Sequence, residues 1–269
     1  MAQALVRDTE GNNTLLSIVT ICRDDADGLL DTRASVLAQT STEWEHIVVA
    51  ARSRDNSHTL AASMTDFRTR VICEEARGIY PAMNTGLEAC QGEWVVFLNS
   101  GDSLASTRSV EAAMSRLKST NAGCVVFGGF VQTQDLRRPV SPRKRLGPLI
   151  YAYGRPGVMH PCTITRRELI RSLGGFSTDL DIAADYELTL RVLQTSQVEV
   201  DQNAFAVFNL GGISTQRLRD SIREMKLARR RTLQMTKPSV FLDSAFYGYQ
   251  VTRSALGSKI RKVRGAASL

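Results

Sequence analysis

The sequence predicts an α/β fold in which a mostly parallel sheet is flanked by helices. Two observations support this prediction. Short apolar runs rich in β-branched residues alternate with segments of helical periodicity, a pattern typical of parallel sheets with helices on both faces. Of the 269 residues, 43% are hydrophobic and 23% are charged, so the chain has enough apolar surface to form a packed core.

The first half of the chain contains four predicted pairs of a strand and a helix. The first strand, residues 15–22, is a short apolar run rich in β-branched residues, as expected of a strand that is buried on both faces. The elements predicted after it are helix 27–39, strand 45–50, helix 57–65, strand 70–73, helix 80–90, strand 93–98 and helix 107–119. Parallel sheets bind ligands outside the carboxyl ends of their strands, so the polar segments after these strands are the candidate site.

The second half has a less regular pattern. Residues 124–132 fit one bent strand or two strands separated by Gly128 and Gly129, and the prolines and basic residues in 133–148 predict an irregular loop. Helices are predicted over 166–173 and 184–195, with a turn at Gly174 and Gly175 and strand-like pieces at 198–200 and 207–210. From residue 215 the chain is predicted to form a basic helical tail, interrupted at Pro238.

The positive net charge of +7 lies entirely in this tail. Residues 217–269 contain 13 Lys/Arg and 3 Asp/Glu, whereas the other 216 residues contain 21 and 24. The net acidic first part and the lack of a recognition motif in the tail predict that nucleic acid is not a partner. The tail could be a solvated helix face, but its aromatic and basic residues after Pro238 favour contact with an anionic membrane surface.

Two further features predict the location of the protein. No apolar run approaches the roughly 18 residues of a spanning helix, and residues 1–13 lack the apolar core of a signal peptide. Five cysteines are scattered singly without metal-ligand spacing, so we expect reduced and mostly buried thiols. We therefore expect a cytoplasmic protein that is peripheral on the inner face of the membrane.

Residues 78–102, GIYPAMNTGLEACQGEWVVFLNSGD, form the most informative segment. A glycine opens a predicted helix, and a buried strand then ends at Asn99, Ser100, Gly101 and Asp102. A carboxylate at the end of a central strand can hold Mg²⁺ or Mn²⁺, which takes its other ligands from water and phosphate oxygens. Asp102 therefore suggests a site for a nucleoside diphosphate, although its position also fits the N-cap of the next helix.

Several short motifs follow one another between residues 15 and 214. They comprise Ser35, Gln39, Glu45, Ile47, Val48, Val49, Ser53 and Asp55, then Gly78, Ile79, Tyr80, Ala82, Met83, Asn84 and Gly86, then residues 97–102, His160, residues 174–176, 185–188 and 211–214. In this order they resemble the inverting family 2 glycosyltransferases of the GT-A fold, closest to the bacterial exopolysaccharide and O-antigen (colanic-acid-type) group. The resemblance implies a GT-A domain over 15–214, with a nucleotide-binding half over 15–132 and an acceptor-side half over 133–214. An N-terminal extension over 1–14 and the basic tail over 215–269 would flank it.

The resemblance also implies a reaction and a set of site residues. A sugar would pass with inversion from a nucleotide sugar, most directly a UDP-linked one, to a saccharide or lipid-linked acceptor in cell-surface polysaccharide assembly. Asp185 matches the catalytic base and could alternatively cap its helix. Asp102 and His160 match the side that binds Mn²⁺ or Mg²⁺, and His160 could alternatively be a semi-buried structural residue. The residues implied for nucleotide-sugar binding are Thr20, Cys22, Arg23, Ala50, Asp55, Arg77, Gly78, Asn84, Asn99, Ser100 and Gly101.

The chain departs from the family pattern around the donor. It has Ala50, Ala76 and Pro81 where the family commonly has aspartate, and Thr85 where the family has lysine. Each acceptor lost to a bound base or ribose costs about 1–3 kcal/mol, so the donor is left open. These departures also favour an alternative function, in which a degenerate GT-A protein binds a partner or glycan without catalysis.

Overall fold

One nine-stranded sheet organises the computed structural model, which describes residues 16–154 and 157–266. The strands are β1 (Leu16–Cys22), β2 (Trp44–Ala51), β3 (Thr69–Glu74), β4 (Trp94–Phe97), β5 (Ser103–Leu104), β6 (Cys124–Gln132), β7 (Arg137–Val140), β8 (Thr163–Arg166) and β9 (Val198–Asn209). Their order in the sheet is β3-β2-β1-β4-β8-β6-β9-β5, and β7 pairs with β6. The predicted extension over 1–14 lies outside the described residues.

Helices connect most of these strands. They are α1 (Ala26–Leu37), α2 (Ser57–Ala62), α3 (Ile79–Ala89), α4 (Ser109–Lys118), α5 (Pro148–Tyr153), α6 (Arg167–Ser172), α7 (Ala184–Thr195), α8 (Ile213–Gln216), α9 (Leu218–Thr232) and α10 (Lys237–Ala266), with a 3₁₀ turn at His160–Cys162. The strands and helices predicted in the first half are all present with bounds shifted by a few residues at most. The predicted α/β class is thus confirmed.

Strands β1 to β4 form a parallel block in the order β3-β2-β1-β4. The chain therefore moves outward from β1 to β3 and then returns to the other side of β1 with β4. This reversal is the switch point at which open α/β sheets leave a crevice for ligands. The long ladder between β6 and β9 is also parallel, whereas β8 pairs antiparallel with both β4 and β6.

The second half settles one sequence alternative and corrects two predictions. Residues 124–132 form one strand, and its register against β9 shifts at Gly128, as the bent-strand alternative requires. The predicted loop over 133–148 contains β7, which tolerates Pro139 because it pairs with one neighbour only. The two strand-like pieces around 198–210 are one continuous strand, hidden in the sequence by the exposed polar residues 202–203.

Helices cover both faces of the sheet, as predicted. Alternate side chains of β1 point to opposite faces, so Val19 packs in a cluster with Met83 of α3 and Leu190 of α7, whereas Ile18 packs in another with Met114 of α4. Of the five free cysteines, four are buried and Cys73 is exposed, which confirms the expectation of mostly buried thiols.

The C-terminal helices α9 and α10 pack against each other and against α5. Arg229 Nε donates to Asp243 Oδ1 at 2.6 Å, and both side chains are fully buried. The Arg229 guanidinium also lies over the rings of Tyr153 in α5 and Phe246 in α10. The interruption predicted at Pro238 lies a few residues earlier, at 233–236 between α9 and α10, because Pro238 falls in the first turn of α10, where proline is tolerated. Within the described residues, every helix is too short or too polar to cross a membrane.

Candidate active site

A cleft of about 490 Å³ opens at the carboxyl ends of β1 to β4. Residues that directly follow each of these four strands contribute to its walls, as the sheet topology predicts. The far wall comes from Thr178, Leu180 and Asp181 and from Arg217 at the start of α9. The lining residues are Ile21, Cys22, Arg23, Asp25, Ala51, Ala76, Arg77, Gly78, Ile79, Tyr80, Pro81, Ala82, Asn99, Ser100, Thr178, Leu180, Asp181 and Arg217.

Six of the residues expected to bind the nucleotide sugar line this cleft together. They are Cys22, Arg23, Arg77, Gly78, Asn99 and Ser100. Asn99 Oδ1 is buried without a hydrogen-bond partner, so a donor group of a ligand could satisfy it. Gly78 has a φ of 122°, a left-handed conformation that favours glycine, and it precedes the first turn of α3, which has no capping side chain. Uncapped N–H groups at a helix start attract anions.

Two of the expected donor residues lie in the sheet instead of the cleft wall. Thr20 is fully buried, donates to the carbonyl oxygen of Leu98 at 2.7 Å and lies 2.9 Å from His46 Nε2. Burial lowers the pKa of His46 to about 3, so this pair is neutral and ties β1 to its neighbours. Ala50 packs in an apolar cluster with Cys22 and Leu29, whereas the next residue, Ala51, lines the cleft.

Three other expected residues shape the cleft from outside. Asp55 accepts from the backbone N–H groups of Ser57 and Ala26, which joins the loop after β2 to the start of α1. Asn84 exchanges two hydrogen bonds of 2.9 Å with the backbone of Phe176. Gly101 has a φ of 89° in the turn after β4, a conformation that few other residues adopt without strain.

Asp102 is a buried carboxyl group at the end of the segment that follows β4. Its side chain does not cap a helix, because α4 begins at Ser109. The residue is 4% exposed, and its Oδ1 accepts from the backbone N–H of Asn209 at 3.0 Å. Burial raises the pKa of Asp102 to about 7, and this one hydrogen bond offsets the effect only in part.

The surroundings of Asp102 fit one protein ligand of a divalent cation. Among the described residues, no group of three or more His, Cys, Asp or Glu side chains converges on a point that could hold a metal. Mg²⁺ in phosphate-binding sites commonly has one or two carboxylates, with phosphate and water completing its coordination. Asp102 could supply one such carboxylate, since a cation would offset the cost of burying its charge, but it is not among the residues that line the cleft.

Asp185 lies in the first turn of α7, where it contacts a residue of the cleft and lines a second cavity. The helix has Ala183 as its N-cap, and Asp185 Oδ1 accepts from the hydroxyl of Tyr80 at 3.1 Å. Tyr80 itself lines the cleft, whereas Asp185 lines a neighbouring cavity of about 190 Å³. Burial and the nearby Asp185 carboxylate both raise the pKa of Tyr80, so its hydroxyl remains a donor.

The structure places His160 beside Asp185. Its ring stacks on Phe97 at a centroid distance of 5.6 Å. His160 and Asp185 line the same cavity. Burial lowers the pKa of His160, and the nearby Asp185 carboxylate offsets this effect only in part. The Nε2 atom of His160 is buried without a hydrogen-bond partner. His160 therefore shares a cavity with Asp185, whereas Asp102, the other residue expected to act with it, does not line that cavity.

Four polar residues of the site were not identified from the sequence. Asp25 caps α1 and accepts from Ser100 Oγ at 2.7 Å in the cleft wall, a role that its place before a helical segment could have suggested. Tyr80 belongs to a matched motif, but its contact with Asp185 spans 105 residues. Asp181 and Arg217 reach the cleft only through packing of α9 against α7, so no local signal marks them.

The start of α7 is held by a carboxylate from another helix. Glu224 of α9 is 8% exposed, and its Oε2 accepts from the backbone N–H groups of Ile182 at 2.8 Å and Ala183 at 3.1 Å. The residue before α7 offers no side chain to cap it. The backbone that leads into Asp185 is therefore positioned by α9.

This arrangement of strands, cleft and carboxylates agrees with a comparison with protein families. The model of the family described as "Glycosyl transferase family 2" matches residues 17–174. The chain belongs to glycosyl transferase family 2. The match begins in β1 and ends at the turn before residue 175, so it contains the segments after β1 to β4.

Curated relatives of this family 2 glycosyltransferase extend the similarity beyond the matched segment. An uncharacterized glycosyltransferase of Mycobacterium tuberculosis (strain ATCC 25618 / H37Rv) is 28% identical over 209 residues, which cover 75% of this chain and 78% of the relative. A PGL/p-HBAD biosynthesis glycosyltransferase of Mycobacterium bovis (strain BCG / Pasteur 1173P2) is 22% identical over 160 residues, covering 58% of this chain and 61% of the relative.

Solved structures confirm the GT-A fold. S. aureus TarS matches with a TM-score of 0.66 at 16% identity, covering 88% of this chain and 43% of TarS. TarS 1–349 in complex with UDP-GlcNAc has a TM-score of 0.66 at 15% identity and covers 89% of this chain and 72% of that one. The mannosyltransferase PcManGT from Pyrobaculum calidifontis, solved with GDP-Man and Mn²⁺, has a TM-score of 0.62 at 17% identity and covers 99% of this chain and 83% of that one.

Proposed function

We propose that this family 2 glycosyltransferase transfers one sugar, with inversion, from a nucleotide sugar to a saccharide or lipid-linked acceptor in cell-surface polysaccharide assembly. The main support is the position of Tyr80, which lines the cleft and donates a hydrogen bond to Asp185. This contact puts a carboxylate beside the proposed donor cleft. A base at that position is what removal of a proton from the acceptor hydroxyl requires.

The donor would bind in the cleft at the ends of β1 to β4. Similar folds have been solved with UDP, UDP-GlcNAc and GDP-Man, which supports a nucleotide sugar, and a UDP-linked donor remains our preferred proposal. Asn99 Oδ1 offers an unsatisfied acceptor. Arg23, Arg77 and Arg217 line the cleft from three chain segments, and each also pairs with a nearby carboxylate, of Asp24, Glu74 and Asp220 respectively. These arginines and the start of α3 would hold the anionic part of the donor.

Asp102 would hold Mn²⁺ or Mg²⁺ together with the donor diphosphate. When bound, the cation supplies positive charge that stabilises the diphosphate as it leaves. Asp102 is kept in place by the backbone N–H of Asn209, and Thr32 Oγ1 donates to its carbonyl oxygen at 2.6 Å. The residue is therefore fixed before any ligand arrives. His160 would serve the reaction beside Asp185, with its unpartnered Nε2 available to the acceptor.

Asp185 would act as the base in the transfer. Tyr80 occupies one carboxylate oxygen, Oδ1, and so orients the group. The other oxygen would accept the proton of the acceptor hydroxyl as that hydroxyl attacks the anomeric carbon from the face opposite the leaving phosphate. Inversion of configuration follows from this single displacement.

The chain offers one observation in favour of binding without catalysis. Ala76 and Pro81 line the cleft, so the family's aspartates at these positions have no equivalent there. A donor-hydrolysis assay over several nucleotide sugars separates the two functions, because a protein that only binds leaves every donor intact.

For its location, we propose that the protein is cytoplasmic and peripheral on the inner face of the membrane through its basic tail.

The substitution Asp185→Asn tests the proposed function. We expect turnover to fall by about 10² to 10⁴, the usual contribution of a general base, while donor binding is retained. Turnover and the dissociation constant of the donor are measured separately. The matched control is Asp179→Asn, an exposed carboxylate that pairs with Arg231, and its turnover should equal that of the wild type. Unchanged turnover in Asp185→Asn would remove this residue from the mechanism.

A further inference from the structure

Two helices, α5 and α10, expose a group of large apolar side chains. We call Leu149, Ile150, Phe241, Leu242 and Tyr249 the α5–α10 surface. Their exposed fractions are 67%, 38%, 74%, 66% and 58%, and three of them are among the four most exposed large apolar residues in the described part of the chain. Side chains this exposed lose apolar contact with water only when another surface covers them.

The two helices contact each other next to these residues. The Tyr153 hydroxyl of α5 donates to Asp243 of α10 at 3.4 Å, and the Tyr153 ring lies edge-on to Phe246 at 5.2 Å. Leu149 and Ile150 lie on the turn of α5 that precedes Tyr153, and Phe241 and Leu242 directly precede Asp243. The exposed apolar residues of both helices therefore flank one contact.

The charge around the α5–α10 surface is positive. Arg143, Lys144 and Arg145 are exposed just before α5, and residues 143–153 contain no acidic residue. At the start of α10, Lys237 is exposed, and Asp243 is the one acidic residue of 237–252. Asp243 is fully buried and pairs with both Arg229 and Arg230, so it presents no negative charge to a partner. Exposed apolar side chains near cations are the combination that binds an anionic lipid interface.

The same helix α5 also reaches the cavity of Asp185. Tyr151, the residue after Ile150, stacks on Tyr186 at a centroid distance of 5.0 Å and lines that cavity. One side of this short helix is thus exposed while the other contributes to the cavity of Asp185. A bilayer at the exposed side would lie within the thickness of one helix from the cavity.

We propose that the α5–α10 surface binds the headgroup region of an anionic bilayer and that a lipid-linked acceptor reaches Asp185 from this face. The second clause rests on the proposed function, whereas the binding of the bilayer does not. In this proposal the membrane contact is made by α5 and α10, two helices that are far apart in the sequence. A protein that used its basic tail alone would not need Leu149 and Ile150.

Vesicle co-sedimentation with the full chain tests this proposal. We expect binding to vesicles of phosphatidylglycerol and phosphatidylcholine, weak binding to phosphatidylcholine alone, and weaker binding as salt screens the lipid charge. Replacing Leu149, Ile150, Phe241 and Leu242 together by serine should lower the partition coefficient at least about tenfold, because burial of these side chains drives insertion. The matched control replaces Leu30 and Phe67, which are 47% and 66% exposed elsewhere, and should bind like the wild type.

Three outcomes would overturn the proposal. In the first, the wild type fails to bind anionic vesicles. In the second, the fourfold variant binds them as well as the control does. In the third, no form binds vesicles, and light scattering shows that the wild type is a dimer whereas the fourfold variant is a monomer. Thermal unfolding followed by circular dichroism must show that the fourfold variant is folded. Pairing only Leu149→Ser with Phe241→Ser provides a milder variant if it is not. Sedimentation needs neither donor nor acceptor, and Asp185→Asn should sediment like the wild type, so this test fails independently of the proposed function.

Discussion

Asp102 combines burial with a charge that no ion pair offsets among the described residues. Its oxygen accepts one backbone hydrogen bond, and its pKa is raised to about 7 by burial. A carboxyl group in this state gains from a cation more than an exposed one does, because the cation removes the cost of its isolated charge. The residue is therefore held ready for a ligand that brings positive charge.

Nucleotide binding with metal tests this role directly. We expect Asp102→Ala to abolish the part of UDP binding that depends on Mn²⁺, because the cation loses its carboxylate ligand. Calorimetric titration of UDP with and without Mn²⁺ measures that part. The control Asp31→Ala removes an exposed carboxylate on α1 and should leave the metal effect intact. Equal metal dependence in both variants would contradict the assignment.

The raised pKa of Asp102 also predicts how stability depends on pH. In metal-free protein, the folded state keeps the proton of Asp102 up to about pH 7, whereas the unfolded chain releases it near the ordinary aspartate pKa of 3.8. The free energy of unfolding should therefore fall as pH rises between about 4 and 7, by about 4 kcal/mol from this group. Denaturant titrations of Asp102→Asn should lack this component. Asp31→Asn, with the same change in charge at an exposed site, should retain it.

At the scale of elements, helix α7 shows what the sequence can and cannot predict. Its bounds, Ala184–Thr195, agree with the predicted 184–195, because its apolar periodicity is local. The carboxylate that holds its start comes from Glu224, about 40 residues later, and only the packing of α9 on α7 brings it there. Likewise, β7 was hidden by prolines that an edge strand tolerates, and α5 is too short to show a period.

Glu224 should influence turnover through α7. We expect Glu224→Ala to leave the N–H groups of Ile182 and Ala183 without a partner, which costs about 1–3 kcal/mol in the free energy of unfolding. Displacement of Asp185 should lower turnover by about tenfold to a hundredfold, with less change in the KM of the donor. Glu224→Gln keeps an acceptor oxygen and should recover most of both losses. A variant that loses stability but not turnover would show that the cap acts on folding alone.

At the scale of the whole molecule, the buried ion pair of Arg229 and Asp243 links α9 to α10. Both side chains are fully buried, and Arg229 also contacts rings from α5 and α10. Removing Asp243 leaves an unpaired buried charge, so we expect Asp243→Ala to lower the free energy of unfolding by about 3–5 kcal/mol. The control Glu111→Ala breaks an exposed pair with Arg108, and denaturant titration should show a free energy of unfolding close to that of the wild type.

The molecule as a whole was predictable where the sequence pattern is local and repeated. The parallel block β1 to β4, its flanking helices and six of the expected cleft residues follow from that pattern and from the matched motifs. Thr20 and Ala50 lie elsewhere because each precedes the end of its strand and is buried within the sheet. The last residues of these strands, Cys22 and Ala51, line the cleft. Arg217 lines the cleft although its segment reads as a solvated basic helix, since tertiary packing places it there.

The distribution of cysteines offers a practical means of observing this site. Burial raises the pKa of Cys90, Cys124 and Cys162 to about 12, and it also raises that of Cys22, so these thiols react slowly. Cys73 is exposed near the end of β3, two residues after Val71 and three before Ala76 in the cleft wall. A maleimide fluorophore would therefore attach at one position without any engineered residue, where its emission would report the arrival of a nucleotide in real time.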